Sequence, residues 1–500
     1  SFVFGGTSII FLNVFVPNFS YTVFVKSFPM LFLTWYDEKS VPIPSIMWGD
    51  SLQAVGDEPA TITDDEFRSR QARLFSQLRP GDLLIITAPH ESTRSNDVHY
   101  PYRTSSDMLY LCGWEDPEAV FCAYNDDGKW ITTLFVQPKD ILKEIWEGRR
   151  PGIQGAVENW PIDKAVSHED LDEELSSMLV KCSRILVKLG IDSDVDKLVD
   201  SEIKSNSRDR QKFGLGPVSI VDPSGMINEL RLRKSSAEIN LMRHSAKIAA
   251  QAHIQAMANT KPGVGEWQLE GIIEGLFKYC NTSGIAYPCI IGSGENATIL
   301  HYTVNDDTCD DGEIILIDAG CEYKGYASDI TRSWPVNGKF TEAQAEIYQI
   351  VLDAQLSAID QCRVGNAYDA PHQAARKALA EGLIRIGVIK QNLEEALGPD
   401  GELSKWYMHN TGHWLGMDVH DVGVYRPGED PRVFEEGMVI TVEPGLYFGA
   451  WRPDVECPEK YANIGIRIED DVLITNDGPD VLSGDCPKTI ANIEAIVGTA

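Results

Sequence analysis

The sequence predicts an α/β domain followed by an α+β domain, and three observations carry that expectation. Strand-like and helix-like segments alternate from residue 64 to about 222. A turn-rich stretch, "VDPSGM" at 221–226, then interrupts the alternation. Beyond it, long helical patterns flank short apolar strands that end on carboxylates. The 500 residues suit two to four domains. The expected division is an apolar extension over 1–46, an α/β domain over 47–225 and an α+β domain over 226–500.

Each element has a local reason. "DDEFRSRQARLFSQL" places Phe67, Ala72, Leu74, Phe75 and Leu78 near helical spacing. "GDLLIITA", "DMLYLCGW", "EAVFCAYN" and "KWITTLFVQ" read as strands, with Asp126-Asp127-Gly128 as the turn between the last two. "HEDLDEELSSML" reads as an amphipathic helix and "RILVKLG" as a strand. In the second domain Ser235 and Glu238 fit a capping box opening a long helix, and a second helix covers about 266–280. Strands follow at "AYPCIIG", "EIILIDAG", "YASDITRSW", "GMVITVEPG" and "IGIRIEDDVLIT". Helices near 342–362 and 367–387 sit between them.

Composition narrows the function. The formal charge of −31 argues against a nucleic-acid backbone or an anionic membrane as the main partner. Ten cysteines are scattered singly without a CxxC pair, which suits free thiols in a reducing compartment. The first 35 residues are rich in Phe, Val and Leu, but Pro17, Asn18, Ser20 and Lys26 interrupt the run before it reaches ~20 apolar residues. The stretch has neither the pattern of a secretory signal nor the arginines of a mitochondrial presequence. It is expected to be an upstream extension, with Met47 as the candidate native start.

The chemistry gathers at "DAGCEYKGYASDI", 318–330. Taking Tyr323-Lys324 as a two-residue loop, Glu322 pairs with Gly325 and Asp318 pairs with Asp329. Opposed residues on an antiparallel pair have Cβ atoms ~4.5–5.5 Å apart, so the like charges repel unless a cation lies between them. Further ligand candidates follow. "HNTGHWLGMDVHD" carries His409, His413 and His420, "MVITVEPG" ends on Glu443, and "IGIRIEDD" sets Arg467 and Glu469 on one face. A lone His or strand Glu is more often a packing or surface residue, but their joint occurrence points to one centre. Asp318, Asp329, Glu443 and Glu469 with a neutral His413 balance two divalent cations. Such a pair, ~3.5–4 Å apart, makes hydroxide available near neutral pH. Carboxylates with one imidazole favour Mn, Co or Zn. The "GSGEN" loop at 292–296 lacks the Lys-Ser/Thr of a phosphate-binding loop and reads as a tight turn that aims His301.

The text "DAGCEYKGYASDITRSWPVNGKFT", "HWLGMDVHDVG", "TVEPGLY" and "GIRIEDD", with "TRSNDVHYPYRTSSDMLYLCGW" and "EIWEGRRPG" upstream, resembles the aminopeptidase P (Xaa-Pro aminopeptidase) family over about 64–495. The resemblance implies an N-terminal α/β domain plus an α+β pita-bread (creatinase/aminopeptidase-like) C-terminal catalytic domain. It implies Asp318, Asp329, His413, Glu443 and Glu469 as ligands of two metal ions, most often Mn2+, with Asp329 and Glu469 bridging. His301 and His420 become catalytic histidines, the first near the scissile bond and the second on the tetrahedral intermediate. Glu443 takes a second role in proton transfer, and His409, Tyr447 and Arg467 bind or frame substrate. The family's "MHGLSHWLG" is "MHNTGHWLG" here, with the histidine spacing kept. Around "YRPGEDPRVFEEG" either Arg426 or Arg432 is the candidate to face substrate. Arg149 and Arg150 either reach a neighbouring subunit's site or close a surface helix.

The implied substrates are peptides with proline in position two, in a cytoplasmic homo-oligomer (dimer or tetramer). A prolidase restricted to dipeptides, a methionine aminopeptidase, a processing exopeptidase and a metal-free binding module of the same fold remain the alternatives.

Overall fold

A computed structural model describes residues 51–214 and 216–500, and before them only the backbone of two short hairpins. Those hairpins join Val3–Phe4 to Thr7–Ser8 and Asn13–Val16 to Phe19–Thr22. The remainder of the expected apolar extension, and Met47, lie outside the described residues. Residues Ser1–Gly49 and Asp50–Ala500 form separate compact units. No helix among the described residues is long and apolar enough to cross a membrane.

The first half of the large unit is a six-stranded mixed sheet. Its order is Lys164–Ser167, Lys129–Val136, Val120–Asp126, Asp82–Thr87, Arg184–Val187, Ser219–Val221. The central strand Asp82–Thr87 is buried along its whole length, as its unbroken apolar run requires. Asp127 and Gly128 both take positive φ and close the expected hairpin. The segment "DMLYLCGW" is a correction: Ser106–Cys112 is a helix, not a strand. Ser105 accepts from the Met108 N–H, and Gly113 ends the helix in the left-handed region. A short apolar run fits either structure, and its caps decide.

In the second half, helix Ser236–Asn259 opens with the expected capping box between Ser235 and Glu238. Strand Ile314–Asp318 pairs with both Ile290–Ser293 and Thr331–Pro335. A second sheet joins Val439–Val442, Asp470–Thr475 and Gly478–Val481, and a two-stranded ribbon joins Gly445–Phe448 to Ile464–Arg467. Apolar side chains of helices Glu342–Asp360 and Ala370–Arg385 meet Ile440, Val442, Val472 and Ile474 in one core cluster.

The hairpin register also differs from expectation. The turn is Lys324-Gly325, both with positive φ, so Tyr323 pairs with Tyr326. Asp318 therefore faces Thr331 rather than Asp329. A shift of two residues keeps each side chain on its own face, so Asp329 still points to the Asp318 side. Gly320 is required here, because a Cβ on it would stand 1.7 Å from the Ser328 carbonyl oxygen.

Behind this surface lies a buried ion pair. Arg332 donates to Asp470 at 2.8 Å, and both side chains are fully buried. Arg332 also donates to the carbonyls of Glu469, Cys486 and Pro487. Removing one partner of such a pair leaves an unpaired buried charge. Arg332→Met is expected to cost ~3–5 kcal/mol in denaturant unfolding, and a loss below ~1 kcal/mol would show that the pair is dispensable.

Candidate metal centre

Four strand ends deliver acids to one place. Asp318 closes Ile314–Asp318, Asp329 precedes Thr331–Pro335, Glu443 follows Val439–Val442, and Glu469 follows Ile464–Arg467. Donor atoms of Asp329, His413 and Glu469 all lie within 4.8 Å of one another. His413 Nε2 stands 3.4 Å from Asp329 Oδ2 and 3.9 Å from Glu443 Oε1. Its Nδ1 lies 3.0 Å from the Trp414 carbonyl, which holds the proton there and turns Nε2 toward the acids. Asp318 joins the group through Tyr287, whose hydroxyl lies 2.6 Å from Asp318 Oδ1 and 2.5 Å from Asp329 Oδ1 and donates its one proton between them.

Arg467 frames the group. Its guanidinium donates to Asp318 Oδ2 at 2.6 Å, to the Tyr447 hydroxyl at 3.0 Å and to the Thr331 hydroxyl at 3.1 Å. Thr331 in turn donates to Glu469 at 2.6 Å. His409 Nδ1 lies 2.7 Å from the Asn410 carbonyl, so its Nε2 accepts from Tyr447 at 2.8 Å. Burial, aided by Arg467, lowers His409 to about 3 and keeps it neutral.

The electrostatics are unbalanced. Burial raises Glu469 well above the carboxylate range, reinforced by Asp329 and Glu443. Burial raises Glu443 to about 7 against the pull of His413 and Arg467. Burial also raises Asp318, with Arg467 opposing. His413 is lowered by burial but raised more by its contact with Asp329 and by Glu443, and stands at about 9. Burial favours the protonated acids, and Arg467 with a protonated His413 only partly offsets four carboxylates. Oxygen donors with one imidazole and an excess of negative charge fit hard divalent cations.

A cleft of about 760 Å³ opens above the group, lined by His301, His409, His413, His420 and Glu443 among others. An adjoining pocket of about 260 Å³ is lined by Tyr287, Asp318, Asp329, His413, Glu443 and Glu469, and shares His301 and His420. His420 stacks edge-on to His413 at 4.3 Å between ring centroids. Tyr447 is buried behind the cleft, reaching it through His409 and Arg467. Arg426 lines the cleft, whereas Arg432 is buried and paired with Glu229. Arg150 pairs with Glu147, and neither it nor Arg149 lines the cleft. The "GSGEN" stretch is a turn, with Gly294 at φ +56° ahead of the short helix Asn296–Thr298.

Tyr287 and Thr331 were not anticipated from sequence. Ile290 pairs with Asp318, which puts the "AYP" segment beside the site, and Thr331 lies two residues after Asp329 on the same face.

Buried carboxylates left unneutralised at the floor of an open cleft define a metal-dependent hydrolase. The particular family follows from comparison: the chain belongs to metallopeptidase family M24, whose model matches residues 240–476. The aminopeptidase P N-terminal domain matches residues 67–187. The Xaa-Pro aminopeptidase of Escherichia coli K12 is 40% identical over 444 residues, covering 88% of this chain and 99% of that one. The mitochondrial intermediate cleaving peptidase 55 of Arabidopsis thaliana is 35% identical, covering 89% and 85%. The solved aminopeptidase PepP of Pseudomonas aeruginosa superposes with a TM-score of 0.84 at 38% identity, covering 87% of this chain and 98% of that one.

The protons on Glu443 and His413 predict a pH signature in metal-stripped protein. Both folded pKa values, about 7 and about 9, lie above the ordinary 4.5 and 6.5. The stability they contribute is therefore present at low pH and lost as pH rises through that window. The gap in Tm between metal-loaded and stripped protein is expected to widen between about pH 5 and pH 8. A gap that narrows over this range contradicts the assignment.

Proposed function

We propose that the chain is an Xaa-Pro aminopeptidase, releasing the first residue of peptides whose second residue is proline. The observation that carries this reading is the convergence of Asp329, His413 and Glu469 donors in the pocket adjoining the cleft. The family and the E. coli relative, matched over nearly its whole length, supply the activity. The 47–225 and 226–500 division, with the second part as the pita-bread catalytic domain, belongs to the same reading.

Asp318, Asp329, His413, Glu443 and Glu469 would hold two divalent ions, with Mn2+ as the proposed metal. When bound, these ions polarise the scissile carbonyl and acidify a water nucleophile. The residues around them do the rest. His420 donates to the oxygen on which negative charge develops. Glu443, with an affinity for protons near neutrality, carries a proton from the nucleophile toward the leaving proline nitrogen. Arg467 fixes Asp318, and with Tyr447 it fixes His409 on the cleft wall. His301 flanks the scissile bond. Proline's nitrogen has no N–H in the peptide and its φ is locked, so a wall shaped to the ring selects it.

The free state of all ten cysteines suits a reducing compartment, and the cytoplasm is the one proposed. A homo-oligomer is part of the proposal. The Arabidopsis relative favours one second reading, a processing exopeptidase that trims single residues from larger proteins.

Incubation with Mn2+ and a panel of X-Pro-peptides, X-Ala-peptides and X-Pro dipeptides separates the readings. Release of the first residue from X-Pro-peptides is expected; cleavage of dipeptides alone identifies a prolidase. Asp329→Asn is expected to abolish turnover with the far-ultraviolet spectrum unchanged, and full activity in that variant refutes the ligand set. His420→Ala should lower kcat ~10²–10³-fold with a smaller change in KM, and an unchanged kcat would remove His420 from the chemistry.

A further inference from the structure

One wall of the cleft carries a polar network separate from the metal ligands. His372 stands in the first turn of helix Ala370–Arg385 and lines the cleft with Thr411. Its Nδ1 lies 2.9 Å from the Thr411 hydroxyl, which lies 2.6 Å from the Tyr407 hydroxyl. Thr411 and Tyr407 are buried, and the Thr411 carbonyl accepts the Glu443 backbone N–H at 2.7 Å. Tyr368, just ahead of the helix, donates from its hydroxyl to the Gly412 carbonyl at 2.6 Å. The helix start is thereby tied to the segment that carries His409 and His413.

The protons of this network have one consistent arrangement. Burial raises the Tyr407 phenol well above its ordinary value, so it keeps its proton. Thr411 is the hydrogen-bond partner of that phenol among the described residues, and a buried hydroxyl proton without an acceptor is costly. Tyr407 therefore donates to Thr411, and Thr411 donates to His372 Nδ1. Burial and Arg376 lower the His372 ring against the pull of Asp369, and the positive end of its helix also disfavours the charged form. A neutral ring that accepts at Nδ1 carries its proton at Nε2. That Nε2 has no hydrogen-bond partner among the described residues, whereas His409 has both ring nitrogens engaged.

We propose that His372 is a specificity-determining residue, donating from Nε2 to a backbone carbonyl of a residue after the proline. This deepens the Xaa-Pro aminopeptidase reading and rests on it. The His372 ring lies 5.9 Å from the Tyr407 ring, which lies 4.9 Å from the His409 ring. His409 Nδ1 is in turn 3.7 Å from Glu443 Oε2. His372 is thus set back from the catalytic carboxylate by two ring spacings, the reach of about three extended residues. Only one residue precedes the bond that an aminopeptidase cuts, so a donor set that far back meets the chain that follows. A neutral N–H offers no charge to a carboxylate, and a backbone carbonyl matches it whatever the side chain.

Steady-state kinetics of the full chain with Mn2+ on Ala-Pro-amide, Ala-Pro-Ala-amide and Ala-Pro-Ala-Ala-amide test this. His372→Phe is expected to lower kcat/KM about three- to tenfold on the longer peptides, mainly through KM, and less on Ala-Pro-amide. His372→Gln, whose amide nitrogen falls near Nε2, is expected to recover most of the loss. His372→Asn, whose amide falls near Nδ1, is expected to recover little. An equal loss at every length, or rescue by His372→Asn instead of His372→Gln, makes His372 a support for Thr411 and overturns the inference alone. Unchanged kinetics in all three variants overturn it as well. If His372→Phe does not fold, the contrast between His372→Gln and His372→Asn decides. A wild type that cleaves none of the three peptides refutes the Xaa-Pro reading and the inference with it.

Discussion

The structure is organised around a deficit of positive charge. Asp318, Asp329, Glu443 and Glu469 are drawn together at strand ends with Arg467 as the cation built among them. Taking carboxylates out of water costs several kcal/mol each unless they are paired. The fold accepts that cost, and Glu443 and Glu469 respond by holding protons far more tightly than free carboxylates do. A protein that needed only its own stability would have filled these positions with apolar or paired side chains. The arrangement makes sense when divalent cations complete it, because their charge turns the repulsion into attraction.

A contrast one residue away shows that the deficit is local. Glu469, Asp470 and Asp471 are consecutive, and alternation sends the middle one to the opposite face. There Asp470 meets Arg332, Lys488, Gln355 and Ser483. Burial pushes Asp470 up, but Arg332 and Lys488 outweigh it and hold it at about 2. Asp471 returns to the site side and accepts the Asp329 backbone N–H, while burial and the Asp329 charge raise it well above the carboxylate range. The same strand thus carries a neutralised acid behind the site and unneutralised acids facing it. Arg332 couples the two sides, since it also binds the Glu469 carbonyl and so fixes where that side chain begins.

Much of this was legible in the text of the chain, for physical reasons. A carboxylate that ends an apolar run is costly wherever it lies, which marks Asp318 and Glu443 in the text of the chain, and strand alternation marks Glu469 beside Arg467. Face parity survives a two-residue error, which is why Asp329 lies on the Asp318 side even though the turn falls at Lys324-Gly325 rather than Tyr323-Lys324 and Asp318 pairs with Thr331. What the text concealed were partners whose identity depends on three-dimensional approach. Tyr287 becomes the bridge between Asp318 and Asp329 only because Ile290 pairs with Asp318. Ser106–Cys112 reads as a strand until Ser105 and Gly113 are recognised as its caps.

The shape of the cleft bears on the choice between peptide and dipeptide substrates. Its volume of about 760 Å³ is lined by Asp318 and Glu443 and also by Tyr368, Gln373, Tyr425 and Arg426. A strict dipeptidase needs a cation that closes on the product's carboxylate within two residues of the scissile bond. Arg467 is spent on Asp318, and Arg432 is spent on Glu229. That leaves Arg426, which lies on the cleft wall, is largely exposed and stands 3.7 Å from Asp369. A guanidinium so open to water and partly matched by an acid is a weak trap for one carboxylate. It is better suited to the passing backbone of a longer chain. The open cleft and the commitments of its arginines therefore argue together for peptides that continue beyond proline.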